Sequence, residues 1–111
     1  MNQKELQRII GKKLRSYRTE QGLTQDELAE KAGISTSFYA NIEIGNKEMS
    51  IGVLKCLSDA LDVSIDSLMT EDLQQAAISN IQSLLRNQPD STIIAFEKTI
   101  RIWIDEVNST R

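Results

Sequence analysis

Two short helical patterns separated by a single glycine limit the possible folds of this chain more than any other feature of its sequence. Thr24 precedes the first pattern and Glu27 follows three residues later, which is the spacing of a capping box. Gly33 predicts a sharp turn between the patterns, because glycine adopts positive φ at little steric cost. Ser35 can cap the second helix and Gly45 can end it. The inward positions would be Leu28, Ala29, Ala32, Ile34, Phe38, Tyr39 and Ile42. The pattern therefore predicts two short helices packed across a tight turn.

Helical periodicity continues on both sides of this pair and predicts an all-α fold. Gly11 weakens the first helix, so its first turns are expected to be frayed or separate. Asp62 follows the fourth helix, and aspartate tolerates a left-handed helix end only moderately, so this turn is less favourable than one made by glycine. Cap residues and apolar spacing predict five helices in this part of the chain: from Asn2 to near Gln21, 25–32, 36–44, from Ser50, and from Ser64 through Met69.

The stretch from Ile10 to Leu68 resembles the Cro/repressor (XRE) type of helix-turn-helix DNA-binding protein. Besides the helix pair, the resemblance rests on two flanking segments, Ile10-Gly11-Lys12-Lys13-Leu14-Arg15 and Leu61-Asp62-Val63-Ser64-Ile65-Asp66-Ser67-Leu68. It implies a five-helix repressor-like domain at residues 1–69, whose helix 36–44 enters the major groove of DNA. An ordinary helical hairpin would explain the glycine turn, but not a match of this length.

Composition agrees with one small domain and an appendage. The chain has 111 residues and is 40% hydrophobic, which is enough for a core. No apolar run reaches membrane-spanning length and no signal-peptide pattern opens the sequence, so we expect a cytoplasmic protein. The lone Cys56 falls on an apolar helical face, where a reduced core residue is expected. Histidine and paired cysteines are absent from the sequence, so we expect no zinc site, no cofactor and no enzyme.

The net charge of −3 at first argues against DNA binding. Residues 1–50 hold 8 basic and 7 acidic residues, or +1, whereas residues 51–111 hold 5 and 9, or −4. Four basic side chains also cluster within seven positions, namely Lys12, Lys13, Arg15 and Arg18. DNA binding requires a local positive face and not a basic whole, so the charge distribution predicts a modest non-specific affinity.

The resemblance also implies which residues contact DNA. Gln25 would contact a phosphate at a helix N-terminus and could brace the recognition helix. Asn41 could form two hydrogen bonds with adenine. The proposed base-facing residues are Ser35, Thr36, Ser37 and Asn41, and the proposed backbone contacts after the helix are Asn46 and Lys47. Small hydroxyl residues discriminate bases poorly, so part of any specificity would come from DNA shape.

The sequence also supports interpretations of three further residues, Arg18, Glu43 and Ile44. By resemblance, Arg18 and Glu43 form a partly buried ion pair between the first and third helices, although two unrelated surface charges would give the same sequence. Ile44 departs from the family pattern, which favours a polar or basic residue at this position. Ile44 could meet a thymine methyl group or a partner subunit, and the sequence does not decide between them.

Residues 70–111 predict a two-helix hairpin beyond the DNA-binding part. Its first helix carries Leu73, Ala77, Ile81 and Leu84 on one stripe, and Pro89 marks the turn. The second carries a heptad-like seam at Ile93, Phe96, Ile100, Trp103 and Val107. The hairpin could fold back onto residues 51–69 as a cap, or pair with a second copy as a four-helix bundle. The width of the stripe favours the dimer.

We therefore expect a transcriptional regulator, specifically a repressor that binds a roughly palindromic operator in double-stranded DNA as a homodimer through helix 36–44. The hairpin could also receive a protein antagonist or an antitoxin-type partner. The alternative of another class is a protein-interaction adaptor, in which the motif no longer binds DNA and the hairpin is the active surface.

Overall fold

The computed structural model describes residues 1–109, and this part of the chain is all-α, as the sequence predicts. Its helices are α1 (Gln3–Glu20), α2 (Gln25–Ala32), α3 (Thr36–Ile44), α4 (Ile51–Leu61), α5 (Ile65–Leu68), α6 (Leu73–Leu85) and α7 (Asp90–Ser109). Within residues 1–109, no helix combines the length and the apolar character needed to cross a membrane.

Local hydrogen bonds explain where the helices start and stop. Both halves of the predicted capping box are present, because Glu27 N–H donates to Thr24 Oγ1 and Thr24 N–H donates to the Glu27 carboxylate. The bond from the Thr24 backbone holds the pKa of Glu27 below its ordinary value. Gly33 ends α2 with φ 75°. Asp62 ends α4 in the predicted left-handed conformation, with φ 56°.

The core is made by α1 to α5. Its buried apolar side chains are Ile10, Leu14, Leu28, Ala29, Ala32, Tyr39, Ile42, Leu54, Leu57, Leu61 and Leu68. Helix α1 packs against α3 and also contacts α4 and α5, while α2 packs against α3 and α4. This arrangement holds α2 and α3 at the surface of a cored scaffold, with the outer side of α3 open.

The expectation that Gly11 frays the first helix is wrong. Helix α1 runs unbroken from Gln3 to Glu20, and Gly11 is buried inside it. A Cβ atom at Gly11 would collide with the carbonyl oxygens of Glu43 and Ile42 at the end of α3. The absent side chain is therefore what allows the backbones of α1 and α3 to approach closely.

Cys56 is likewise placed differently from the sequence prediction. It lies on α4 but is exposed, and the core side of that helix is formed by Leu54, Leu57 and Leu61. Apolar residues occupy more than one side of α4, so their spacing alone does not distinguish the buried side from the exposed side.

Helices α6 and α7 differ in how they contact the rest of the chain. Helix α6 packs on α5, burying Ala76 and placing Asn80 against Ser64 and Tyr17. The predicted apolar stripe of α6 faces away from this contact, since Leu73 is 76% and Leu84 57% exposed. Helix α7 has no buried residue over its 20 positions. The molecule is accordingly elongated, measuring 49 × 29 × 24 Å.

Candidate nucleic-acid interface

The outward face of α3 is defined by helix geometry. Tyr39 and Ile42 are fully buried and point α3 into the core. With about 100° between successive residues, Ser37, Asn41 and Ile44 fall within roughly 60° of one another on the opposite side. Ser37 and Ile44 are exposed and Asn41 is half-buried. These three side chains form what we call the outer stripe of α3.

Polar side chains in and just before α3 also form hydrogen bonds within the protein. Ser35 Oγ accepts a hydrogen bond from Phe38 N–H at 3.1 Å, which makes Ser35 the N-cap. Thr36 Oγ1 donates to Asp26 Oδ1 at 2.5 Å and so links α3 to the first turn of α2. Asn41 Nδ2 donates to the Ser37 carbonyl at 2.9 Å. The predicted base-facing residues thus lie at one end and along one side of α3.

A buried carboxylate joins α3 to the two helices behind it. Arg18 Nε donates to Glu43 Oε1 at 2.7 Å, and the two side chains are only 12% and 6% exposed. Gln25 Nε2 donates to Glu43 Oε2 at 2.5 Å, and Tyr39 Oη donates to Glu43 Oε1 at 2.8 Å. Arg18 also donates to the Leu23 carbonyl at 2.8 Å. The sequence pairs Arg18 with Glu43, and the structure adds Gln25 and Tyr39 to the same cluster.

The electrostatics of this cluster favour the charged pair. Burial alone would raise the pKa of Glu43, but hydrogen bonds from Arg18, Gln25 and Tyr39 outweigh it and lower that pKa. The hydrogen bond to Glu43 raises the pKa of Arg18 against the opposing effect of burial. Burial raises the pKa of Tyr39, and its bond to Glu43 raises it further. All three groups therefore keep one protonation state near neutral pH, and the cluster acts as a fixed brace.

The structure adds a contact to Tyr39 that the sequence did not predict, and it shows where the Gln25 side chain lies. Tyr39 was predicted only as an inward apolar residue, although its position four residues before Glu43 places both on one side of α3. Gln25 was predicted to contact a DNA phosphate and to brace the recognition helix, and its side-chain amide donates to Glu43 on that helix. Its backbone N–H still belongs to the first turn of α2, where a helix terminus suits an anion.

Polar and basic groups flank the outer stripe. Asn46 and Lys47 are exposed in the loop after α3, and Asn46 N–H donates to the Asn41 carbonyl at 2.9 Å. Gly45 ends α3 with φ 89° and lies against Arg8 of α1. In the basic cluster of α1, Lys12 and Arg15 are exposed and Lys13 is half-buried, 5.3 Å from the ring centre of Tyr17, whereas Arg18 is paired with Glu43. Polar and basic side chains therefore surround the C-terminal end of α3.

The predicted dimer seam lies along α7. Ile93 and Ile100 are partly buried, whereas Phe96, Trp103 and Val107 are 38%, 64% and 38% exposed. Ile94, Ile102 and Ile104 add a further exposed apolar border to the same helix. Among residues 1–109, no group of three or more histidine, cysteine, aspartate or glutamate side chains is arranged to hold a metal ion.

Comparison with known proteins places this geometry in a family. The helix-turn-helix family model HTH_3 matches residues 14–68. The regulator SinR of Bacillus licheniformis is 41% identical over 64 residues, which is 57% of this chain and 58% of SinR. The chain thus spans less than two thirds of that relative.

Two solved structures extend the comparison. The structure of SinR in complex with DNA, in which SinR is described as the master regulator for biofilm formation, has a TM-score of 0.53 at 40% identity. It covers 55% of this chain and 98% of that chain. The SinR–SinI protein complex has a TM-score of 0.55 at 27% identity, covering 87% of this chain and 98% of that chain. The second similarity spans more of this chain than the first.

Proposed function

We propose, from the premise that this chain belongs to the Cro/repressor (XRE) helix-turn-helix family, that it is a DNA-binding transcriptional regulator acting as a repressor. In this proposal α3 enters the major groove of a roughly palindromic operator, and two copies of the chain bind the two halves. SinR, a relative solved in complex with DNA, supports the DNA-binding part of the proposal.

The observation that carries the proposal is the brace behind the outer stripe of α3. Glu43 accepts hydrogen bonds from Arg18 of α1, Gln25 of α2 and Tyr39 of α3. A buried carboxylate with three donors fixes α3 rigidly against the scaffold, and it leaves the opposite side of α3 free for a partner. Rigid placement of a short helix with an outward Ser37 and Asn41 suits base recognition, which requires a defined geometry.

Phosphate contacts would come from around that helix. The N-terminus of α2 presents the Gln25 backbone N–H, and Asn46 and Lys47 lie beyond the other end of α3. Exposed Lys12 and Arg15 add positive charge on α1. Such contacts position a protein on duplex DNA without reading sequence. The sequence-specific part of the affinity would therefore reside in α3.

The homodimer would form through the α7 seam. Helix α7 buries no residue in the single chain, and its exposed apolar side chains are regularly spaced. A heptad-like seam of this kind is buried when it pairs with another helix. Pairing two copies would also place two α3 helices on one DNA, which repressor half-sites require. A protein antagonist or antitoxin-type partner that used the same seam would compete with the second copy, and the SinR–SinI complex supports that possibility.

Selection of bound duplexes from random DNA tests the proposal, followed by two substitutions. Asn41→Ala should cost roughly 1–3 kcal/mol on the selected site and relax the preference at one base pair. Lys47→Ala should weaken binding to all sequences alike and reduce the salt dependence, because it removes a phosphate contact. Absence of any enriched sequence would reject the repressor and leave the adaptor, in which the hairpin is the active surface.

A further inference from the structure

The outer stripe of α3 contains one residue whose side chain cannot form hydrogen bonds. Ile44 is 64% exposed at the last position of α3, on the same side as Ser37 and Asn41. Exposure of a single isoleucine is ordinary and carries no inference by itself. Its position does, because it lies opposite the buried Tyr39 and Ile42, on the side that faces bases when α3 occupies a groove.

The chemistry of the major groove leaves few contacts for such a side chain. Base edges there present hydrogen-bond donors and acceptors, and the thymine C5-methyl group is their apolar feature. Placing an isoleucine against a phosphate or a polar base edge would strip water from those groups without replacing their hydrogen bonds. An apolar contact with a methyl group removes apolar surface from water on both sides.

Helix geometry limits where that methyl group lies. Ile44 follows Asn41 by three residues, or about 4.5 Å along the helix axis. The rise of one base pair is about 3.4 Å, so the two side chains address neighbouring positions of the same half-site. The charged and polar groups beside Ile44, namely Arg8, Asn46 and Lys47, are placed to hold the phosphates on that side.

We propose that Ile44 is a specificity-determining residue that recognises the C5-methyl group of a thymine next to the base pair contacted by Asn41. The inference rests on the proposed function, since it requires α3 to lie in the major groove of a defined operator. A contact of Ile44 with a second copy of the chain is the competing outcome. It is disfavoured because a protein on the outer stripe would occupy the side of Ser37 and Asn41 that faces DNA.

The test removes the apolar group first from the DNA and then from the protein. Each thymine of the operator selected from random DNA is replaced singly by deoxyuridine, which lacks only that methyl group. At one position per half-site the parent protein should lose about fourfold in affinity, the value expected for one buried methyl group. Ile44→Ala changes both copies of the dimer, so it should lose about fourfold per half-site, or about sixteenfold, on the thymine operator. It should show no further loss when deoxyuridine replaces that thymine, because the contact is already absent.

Ile51→Ala is the matched control, because Ile51 is another exposed isoleucine, at 83%, and lies on α4 outside the outer stripe. It should keep the full deoxyuridine penalty. An Ile44→Ala protein with the same penalty as the parent overturns the inference while leaving the repressor intact. An Ile44→Ala protein that loses dimerisation and keeps the penalty assigns Ile44 to a second copy, and overturns it as well. Failure to select any operator rejects the proposed function, and the inference with it.

Discussion

The two parts of this molecule treat their apolar residues in opposite ways. In α1 to α5, regular apolar spacing produces a closed core in which Leu14, Leu28 and Leu57 are completely buried. In α7, spacing of the same quality produces a helix with no buried residue. Periodicity therefore identifies the inward side of a helix but not the partner that covers it. In the first part the partner is the same chain, and in the second we propose another copy.

Polar contacts differ between the two parts as well. In α1 to α5, the charged side chain of Glu43 is buried among several hydrogen-bond donors. Two other ion pairs, one on α4 of the same part and one on α7, are exposed and local. Lys55–Asp59 on α4 and Arg101–Glu97 on α7 each join residues four apart on one helix. Exposed pairs of this kind contribute little to stability. The architecture of α1 to α3 thus depends on long-range polar contacts that α7 does not make among the described residues.

The largest expected effect is on assembly, through Trp103→Glu. Trp103 is central to the α7 seam, so a carboxylate there would have to be buried without a partner in any bundle. We expect the variant to be a monomer by light scattering at micromolar concentration. Its operator affinity should fall by about two to four orders of magnitude, because each half-site contact then forms without a tethered neighbour.

Lys98→Glu provides the control for that substitution. Lys98 is an exposed residue of α7 on the side away from the seam, so the same new charge should leave the dimer intact. Unchanged melting of the cored part in both variants would show that α7 acts on assembly alone. A parent protein that is itself monomeric at these concentrations would contradict the dimer and place the apolar side of α7 on some other partner.

The next effect is on stability, through Glu43→Ala. This change leaves the Arg18 guanidinium nearly buried without its carboxylate, and it removes the acceptor for Gln25 and Tyr39. Breaking a buried pair in this way costs about 3–5 kcal/mol, to be measured by urea denaturation. Glu20→Ala, at an exposed position of the same scaffold, should change stability by about 0.5 kcal/mol or less. Equal effects of the two substitutions would show that the Glu43 cluster is not a brace.

The same carboxylate predicts a pH dependence. Hydrogen bonds hold the pKa of Glu43 in the folded state below its ordinary value of 4.5. A depressed pKa contributes stability that is present above pH 4.5 and is lost as pH falls through the lowered pKa. Glu43→Gln cannot titrate, so its stability should fall less steeply over that acidic range than the parent's. Parallel pH profiles for the two proteins would contradict this assignment.

Gly11→Ala should have a smaller effect on stability, opposite in sign to the usual effect of this substitution inside a helix. Alanine normally stabilises a helix interior relative to glycine by about 0.5–1 kcal/mol. At Gly11 the added Cβ would collide with the backbone at the end of α3, so α1 and α3 must separate. We expect a net destabilisation of about 1–3 kcal/mol by calorimetry, as for other overpacked sites.

Gly52 offers the matched control for this prediction. A Cβ at Gly52 of α4 would meet only Ser50 Oγ, at an ordinary 3.7 Å. Gly52→Ala should therefore stabilise the protein. If both substitutions stabilise, the close approach of α1 and α3 at Gly11 is not required by the fold.

The starts of the helices could be predicted from the sequence, whereas contacts between distant helices could not. Cap residues such as Thr24, Ser35 and Ser50 act on backbone groups three residues away, so local sequence determines the helix starts. Gly11, in contrast, lies against the backbone of Ile42 and Glu43, which are 31 and 32 residues later in the chain. Helix propensity alone therefore wrongly predicted that Gly11 weakens α1. Tyr39 could be assigned to the core from spacing, but its hydroxyl partner depends on how three helices meet. Contacts between distant elements are not encoded in periodicity.

The smallest expected effect concerns the boundary between the two parts, through Asn80→Ala on α6. Asn80 Oδ1 accepts from Ser64 N–H at 2.9 Å, and Asn80 Nδ2 donates to Tyr17 Oη at 3.2 Å. Alanine removes both bonds, each worth about 0.5 kcal/mol at this half-buried position. Hydrogen exchange should accelerate in α6 while α2 and α3 keep their protection, because the contact lies at the edge of the core. Asn87→Ala, in the exposed turn after α6, should change neither. Unchanged protection of α6 in Asn80→Ala would mean that the packing of Ala76 and the hydroxyl contact between Ser79 and Ser64 hold this helix without the two Asn80 bonds.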